Sequence, residues 1–83
     1  MARNVVVVLL DKRRESAVTV QELFTKYGCF IRSRLGLHEV NDQCVDDGFI
    51  ILELSNKDEA VKLQLELNTL TGVSAEVVHI SLE

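Results

Sequence analysis

Two arginines stand two residues apart in the stretch Ile31-Arg32-Ser33-Arg34-Leu35-Gly36-Leu37-His38. On a strand, that spacing puts both side chains on one face. A guanidinium fork suits a planar carboxylate or a phosphate. Arg32 and Arg34 therefore serve either an ion pair, with Glu53 across the sheet or with another subunit, or a clamp for a small anion. A second basic group, Lys12-Arg13-Arg14, sits just ahead of the first helical pattern. Cations there oppose the helix dipole. They belong either to a solvated loop offset by Glu15 or to an anion site at the outward N–H groups.

His38, Cys44 and His79 are natural ligands for a transition metal. No Cys-x-x-Cys or His-x-x-x-His pair is present, so a metal site would need ligands pooled between subunits. His79, on an otherwise apolar strand, equally suits a hydrogen-bonded structural role. Cys29 is a fourth candidate, turned toward the helices by alternation. Asp42, Asp46 and Asp47 lack the spacing of a calcium loop and read as a solvated acidic loop. There is no nucleophile elbow, phosphate loop or dinucleotide-binding glycine pattern. The expectation is a protein that is not an enzyme, with no cofactor.

These residues must be positioned by a short chain. The 83 residues form a single domain over 1–83, 47% apolar, with a net charge of −4 and no proline. That composition is too apolar for disorder and too acidic for a general nucleic-acid binder. The longest apolar run, Val5 to Leu10, is too short for a membrane span. Two cysteines make no disulfide framework. Reduced thiols and a cytoplasmic location are expected.

Periodicity divides the chain into six elements. Residues 3–10 are apolar on both alternating faces, as a central strand covered on both sides would be. Val20, Leu23, Phe24 and Tyr27 make a helical stripe within 15–27, with Glu22 and Lys26 paired on its outer side and Gly28 as a left-handed cap. Its start falls at Asp11 or Ser16. Strands follow over 29–37 and 49–54, joined by a polar loop over 38–47. In the second strand, Cys29, Ile31, Ser33, Leu35 and Leu37 share one face, and Phe30, Arg32, Arg34 and Gly36 the other. The spacing predicts a second helix over 57–70, with Asn56 and Glu59 or Ser55 and Asp58 as a capping box. Its buried stripe is Ala60, Leu63, Leu67 and Leu70, and Gly72 follows. The last strand covers 73–82.

The order β-α-β-β-α-β is that of an α+β, ferredoxin-like sandwich, a four-stranded antiparallel sheet with two helices on one face. The other face has no helix, yet the first strand is apolar there too. Phe30, Phe49 and Ile51 are placed on it as well. An exposed apolar surface of this kind marks a partner site, and a second copy is the expected partner, as a dimer or tetramer.

The stretch from Ile31 to His38, with Gly48 to Leu54 after the loop, resembles small bacterial proteins, the iron-only hydrogenase system regulators, built like a single ACT domain. The Arg-x-Gly-apolar signature falls at Arg34 to Leu37. Tyr27-Gly28 and Leu70-Thr71-Gly72-Val73 match the helix ends. The resemblance implies an ACT-like fold, a cytoplasmic oligomer and a regulatory, ligand-sensing role. Amino-acid-binding ACT domains usually carry a glycine in the first strand–helix loop, whereas Asp11 to Ser16 holds none. The related nickel-responsive repressors pair two histidines with a cysteine. His38 and Cys44 match one histidine and the cysteine in separation, and Gly36 stands in the place of the other histidine. No ribbon-helix-helix arm is expected before residue 3, and so no direct DNA binding.

Together these readings give a stand-alone regulatory module. It oligomerises through the helix-free sheet face and binds a small anion at Arg32, Arg34, Gly36, Leu37 and His38. The alternatives are a nickel-type sensor using His38, Cys44 and His79, and a purely structural protein-interaction oligomer.

Overall fold

The computed structural model describes residues 1–11, 15–37 and 47–82. Its elements are β1 (Ala2–Asp11), α1 (Ser16–Lys26), β2 (Ile31–Leu37), β3 (Asp47–Leu54), α2 (Lys57–Leu67) and β4 (Val73–Ser81). The strands form one antiparallel sheet in the order β2-β3-β1-β4. This is the expected ferredoxin-like topology, with the doubly apolar β1 in the interior of the sheet.

Register sorts each strand into two rows. Val6 lies between Leu52 and Val77, and Val8 between Ile50 and Ala75. This row faces the helices. Val20, Phe24 and Tyr27 of the first helical segment and Ala60, Leu63 and Leu67 of α2 close over it to form the core. Leu52, Leu54, Leu63, Leu67, Val6, Val8 and Val20 are fully buried. Each such side chain contributes roughly 1.5–3 kcal/mol relative to exposure. Both predicted stripes are thus core stripes, with Leu23 and Leu70 packed at the margin.

The helix ends differ in quality. The Asn56 side chain accepts from the N–H groups of Asp58 and Glu59 and caps α2. Asp58 and Glu59 add negative charge to the same first turn, where the dipole favours it. The first helix has Glu15 at its N-cap, rather than Asp11 or Ser16, and the Glu15 side chain makes no capping hydrogen bond. Gly72 takes the left-handed φ of 76°. Gly28 does not. The chain leaves α1 through tight turns, with Tyr27 N–H donating to Leu23, Gly28 to Thr25 and Phe30 to Tyr27. A Cβ on Gly28 would stand 3.1 Å from the Thr25 carbonyl oxygen, a tight contact that a side chain fits only if that carbonyl gives by a few tenths of an ångström.

Lys12, Arg13, Arg14, His38, Asp42, Cys44 and Asp46 lie outside the described residues, as does most of the expected 38–47 loop. Asp47 already belongs to β3. No helix among the described residues is long and apolar enough to cross a membrane.

Candidate functional site

The second strand does not alternate evenly. Ile31 lies opposite Leu54 and Ser33 opposite Glu53, consecutive residues of β3. Arg32 is therefore the extra residue of a β-bulge, which reverses the alternation after it. Arg34 pairs with the buried Leu52 and Gly36 with Ile50, on the helix side, whereas Leu35 pairs with Ile51 on the open side. The expected sharing of faces is corrected accordingly. Arg34 does not point to the helix-free face, and Ile31 and Leu35 do not share a face.

From the helix side, Arg34 reaches α1. Its Nη2 donates to Gln21 Oε1 at 2.9 Å. Its guanidinium carbon lies 4.9 Å from the centroid of the Phe24 ring. Both partners are neutral. No carboxylate meets Arg34 or Arg32 among the described residues. Glu53 pairs instead with Arg3, Nη1 to Oε2 at 2.6 Å, and this contact raises the Arg3 pKa, by the hydrogen bond first and by charge second. Arg34 is thus an exposed cation, oriented by an amide and a ring, with donors left for an anion. Beside it, Gly36 opens onto free space, with no atom within 4 Å of a built Cβ. Leu37 ends the strand opposite Phe49, and His38 lies outside the described residues.

The metal-ligand candidates are placed in part. His79 stands opposite Asn4 in the β1–β4 ladder, and its Nδ1 is 2.6 Å from Asn4 Oδ1. Asn4 is the buried polar residue of the core's edge, so this hydrogen bond satisfies a group that would be costly to bury alone. Cys29 is a free, exposed thiol in the turn before β2, not directed toward the helices. Among the described residues, no three His, Cys, Asp or Glu side chains converge on a common point.

The helix-free face carries an apolar patch interrupted by Glu53, Ser74 and Glu76. Val5, Val7 and Leu9 of β1 lie beside Glu53, Ile51 and Phe49 of β3, and beside Val78, Glu76 and Ser74 of β4. Leu35 extends the patch onto β2. Leu9 is 48% exposed, Leu35 54%, Phe49 38% and Ile80 56%. Phe30, expected here, packs against the core instead, because the turns after α1 bring it under the sheet's end, where its carbonyl accepts from Ser55 N–H.

One cluster escaped the sequence pattern. Lys26 reaches across to α2 and pairs with Glu66 Oε1 at 2.8 Å, rather than with Glu22 on its own helix. The Lys26 ammonium also lies 5.5 Å from the Tyr27 ring centroid. Glu66 Oε2 is buried without a hydrogen-bond partner. Burial, and then the Glu66 carboxylate, push the Tyr27 phenol up to about 12. Lys26 first and Tyr27 second hold Glu66 below its ordinary range. Nothing in the linear spacing joins positions forty residues apart.

Comparison with solved structures identifies the fold. An uncharacterised protein from Thermotoga maritima superposes with a TM-score of 0.74 at 23% identity, covering 98% of this chain and all of that one. The ACT domain of GTP pyrophosphokinase from Chlorobium tepidum gives 0.64 at 17% identity, covering 94% and 97%. A nitrogen regulatory PII-like protein from Thiomonas intermedia, bound to ADP, AMP and bicarbonate, gives 0.64 at 8% identity, covering 100% and 94%. No protein-family model and no curated protein matches the sequence. The chain has the fold that ACT domains and PII-like proteins share, over essentially its whole length.

Proposed function

We propose that the chain is a regulatory module, not an enzyme, that senses a small anion at Arg34 and assembles with further copies through its helix-free sheet face. The observation that carries this reading is the setting of Arg34. A guanidinium held by Gln21 and Phe24, with no acidic partner among the described residues, keeps its charge and its in-plane donors for a ligand. The fold adds support, since a PII-like protein of similar fold is bound to ADP, AMP and bicarbonate. Arg34 does not line the sheet face, so the proposed ligand site is the β2 edge beside α1, with Arg32, Gly36 and Leu37 as further candidates and His38, outside the described residues, retained only as an expectation. The closer resemblance, to iron-only hydrogenase system regulators, rests on the motifs around Arg34 and Gly72.

The test is a thermal-shift and calorimetric panel of AMP, ADP, bicarbonate and inorganic phosphate. At least one is expected to raise the melting temperature and to bind at least tenfold more weakly to Arg34→Gln. If none binds, or if Arg34→Gln binds as well as the parent, the reading fails.

A further inference from the structure

Arg34 meets α1 at two residues of one helical stripe. Gln21 and Phe24 stand three apart, so both project toward the β2 edge. Phe24 is buried and offers only its ring. Gln21 is exposed, and among the described residues its amide is the one polar side chain that touches the guanidinium. Thr25, next on the stripe, has its hydroxyl committed to the Gln21 carbonyl at 3.1 Å. On the strand, Gly36 follows Arg34 on the same side and brings no side chain to crowd it.

An amide at this position does two things. Gln21 Oε1 accepts from Arg34 Nη2 and fixes the fork without adding a negative charge. A carboxylate of the same shape would also fix the fork, but as the ion pair that arginine favours. The guanidinium would then be satisfied within the chain. The acidic side chains closest in the sequence or across the sheet do not play that part. Glu53 lies on the opposite face of the sheet with Arg3, and Glu22 stands about 100° further round the helix than Gln21. The amide also has a second end. Gln21 Nε2 makes no hydrogen bond among the described residues. It belongs to the same small planar group as Oε1, so it stays close to the guanidinium that Oε1 holds.

We propose that Gln21 is the specificity-determining residue of the Arg34 site, an inference that rests on the reading of Arg34 as an anion site. Gln21 orients the guanidinium without neutralising it, and it adds Nε2 as a second donor to the bound group. The ligand class is an oxyanion met by donors alone, held by arginine and amide together. Gln21→Glu closes the site twice over, by pairing with Arg34 and by setting a like charge beside the ligand.

Calorimetry and ligand-free melting of the full chain test this on two variants, Gln21→Glu and Gln21→Ala, with inorganic phosphate, AMP, ADP and bicarbonate as probes. Gln21→Ala keeps the free charge and loses one donor, so its binding should fall on the order of fivefold, the worth of one hydrogen bond. Gln21→Glu keeps the tie between α1 and β2 and should melt no lower than Gln21→Ala. It should nevertheless bind at least roughly tenfold more weakly than Gln21→Ala, because like charges are opposed. The two orders therefore cross. A merely structural tie gives the other result, with affinity following melting temperature across the two variants, and that would overturn the proposal. Parental binding by Gln21→Ala would overturn it too. A parent protein that binds none of the probes removes the Arg34 site and this inference with it. Binding that is lost in Arg34→Gln but kept in Gln21→Glu removes the inference alone and leaves the proposed function standing.

Discussion

The guanidinium of Arg34 lies over the ring of Phe24, 4.9 Å from its centroid, and this stacking orients the cation at the β2 edge. Arg34→Lys preserves the charge but loses the planar face and the fork. The expected outcome is a loss of about 0.5–1 kcal/mol in chemical denaturation, the scale of an exposed cation–π contact. Anion binding should weaken nearly as much as in Arg34→Gln, because orientation as well as charge is lost. Calorimetry on the two variants side by side checks this.

Tyr27 is the protein's only tyrosine, and there is no tryptophan, so its phenolate absorbance reads one group. Its pKa is raised from 10.0 to about 12 by burial and by Glu66. A raised folded-state pKa stabilises fully below the unfolded value and loses that contribution as pH rises through the folded one. Stability should therefore fall between pH 10 and 12. The fall should be smaller in Tyr27→Phe, where only the lysine ion pairs titrate in this range, as equilibrium denaturation at several pH values would show. Glu66, held low by Lys26 and Tyr27, acts with the opposite sign. Its contribution is present above the ordinary carboxylate range and is lost as pH falls through its lowered pKa.

Asn68 satisfies both backbone groups of Ala75. Asn68→Ala leaves that N–H without its partner and weakens the hold on the carbonyl, at a cost of about 1–3 kcal/mol. Asn68→Asp keeps the acceptor but sets an oxygen against the Ala75 carbonyl, and should be no better than alanine. Thermal denaturation of the two variants distinguishes this two-way bond from a simple acceptor.

The Asn56 cap is a local device with a local cost. Asn56→Ala should lower stability by about 1 kcal/mol, and Asn56→Asp should restore most of it, since the side-chain oxygen that accepts from Asp58 and Glu59 N–H remains. Denaturant titration measures both.

On the helix-free face, Ile51→Lys places a charge in the middle of the apolar patch. Assembly should be lost in sedimentation velocity while the fold persists, because this row makes no contact with the helix-side core. An oligomer of unchanged size after the substitution would show that copies do not pack through this face.

Much of this architecture was legible in the chain. The doubly apolar run at Val5–Leu10 specified an interior strand, the stripes at Val20–Tyr27 and Ala60–Leu67 specified the core-facing sides of two helices, and Asn56 with Glu59 marked a helix start. These are periodic or nearest-neighbour features, set by residues a few positions apart. What only the tertiary structure decided depends on pairing between distant segments. The register against Leu54 and Glu53 makes Arg32 a bulge and sends Arg34 to the helix side, where plain alternation sends it to the open face. Helix packing joins Lys26 and Tyr27 to Glu66, and a turn brings the Asn68 amide onto the edge of β4. Strand alternation carries no information about an extra residue, because a bulge is defined by the partner strand and not by the one that contains it.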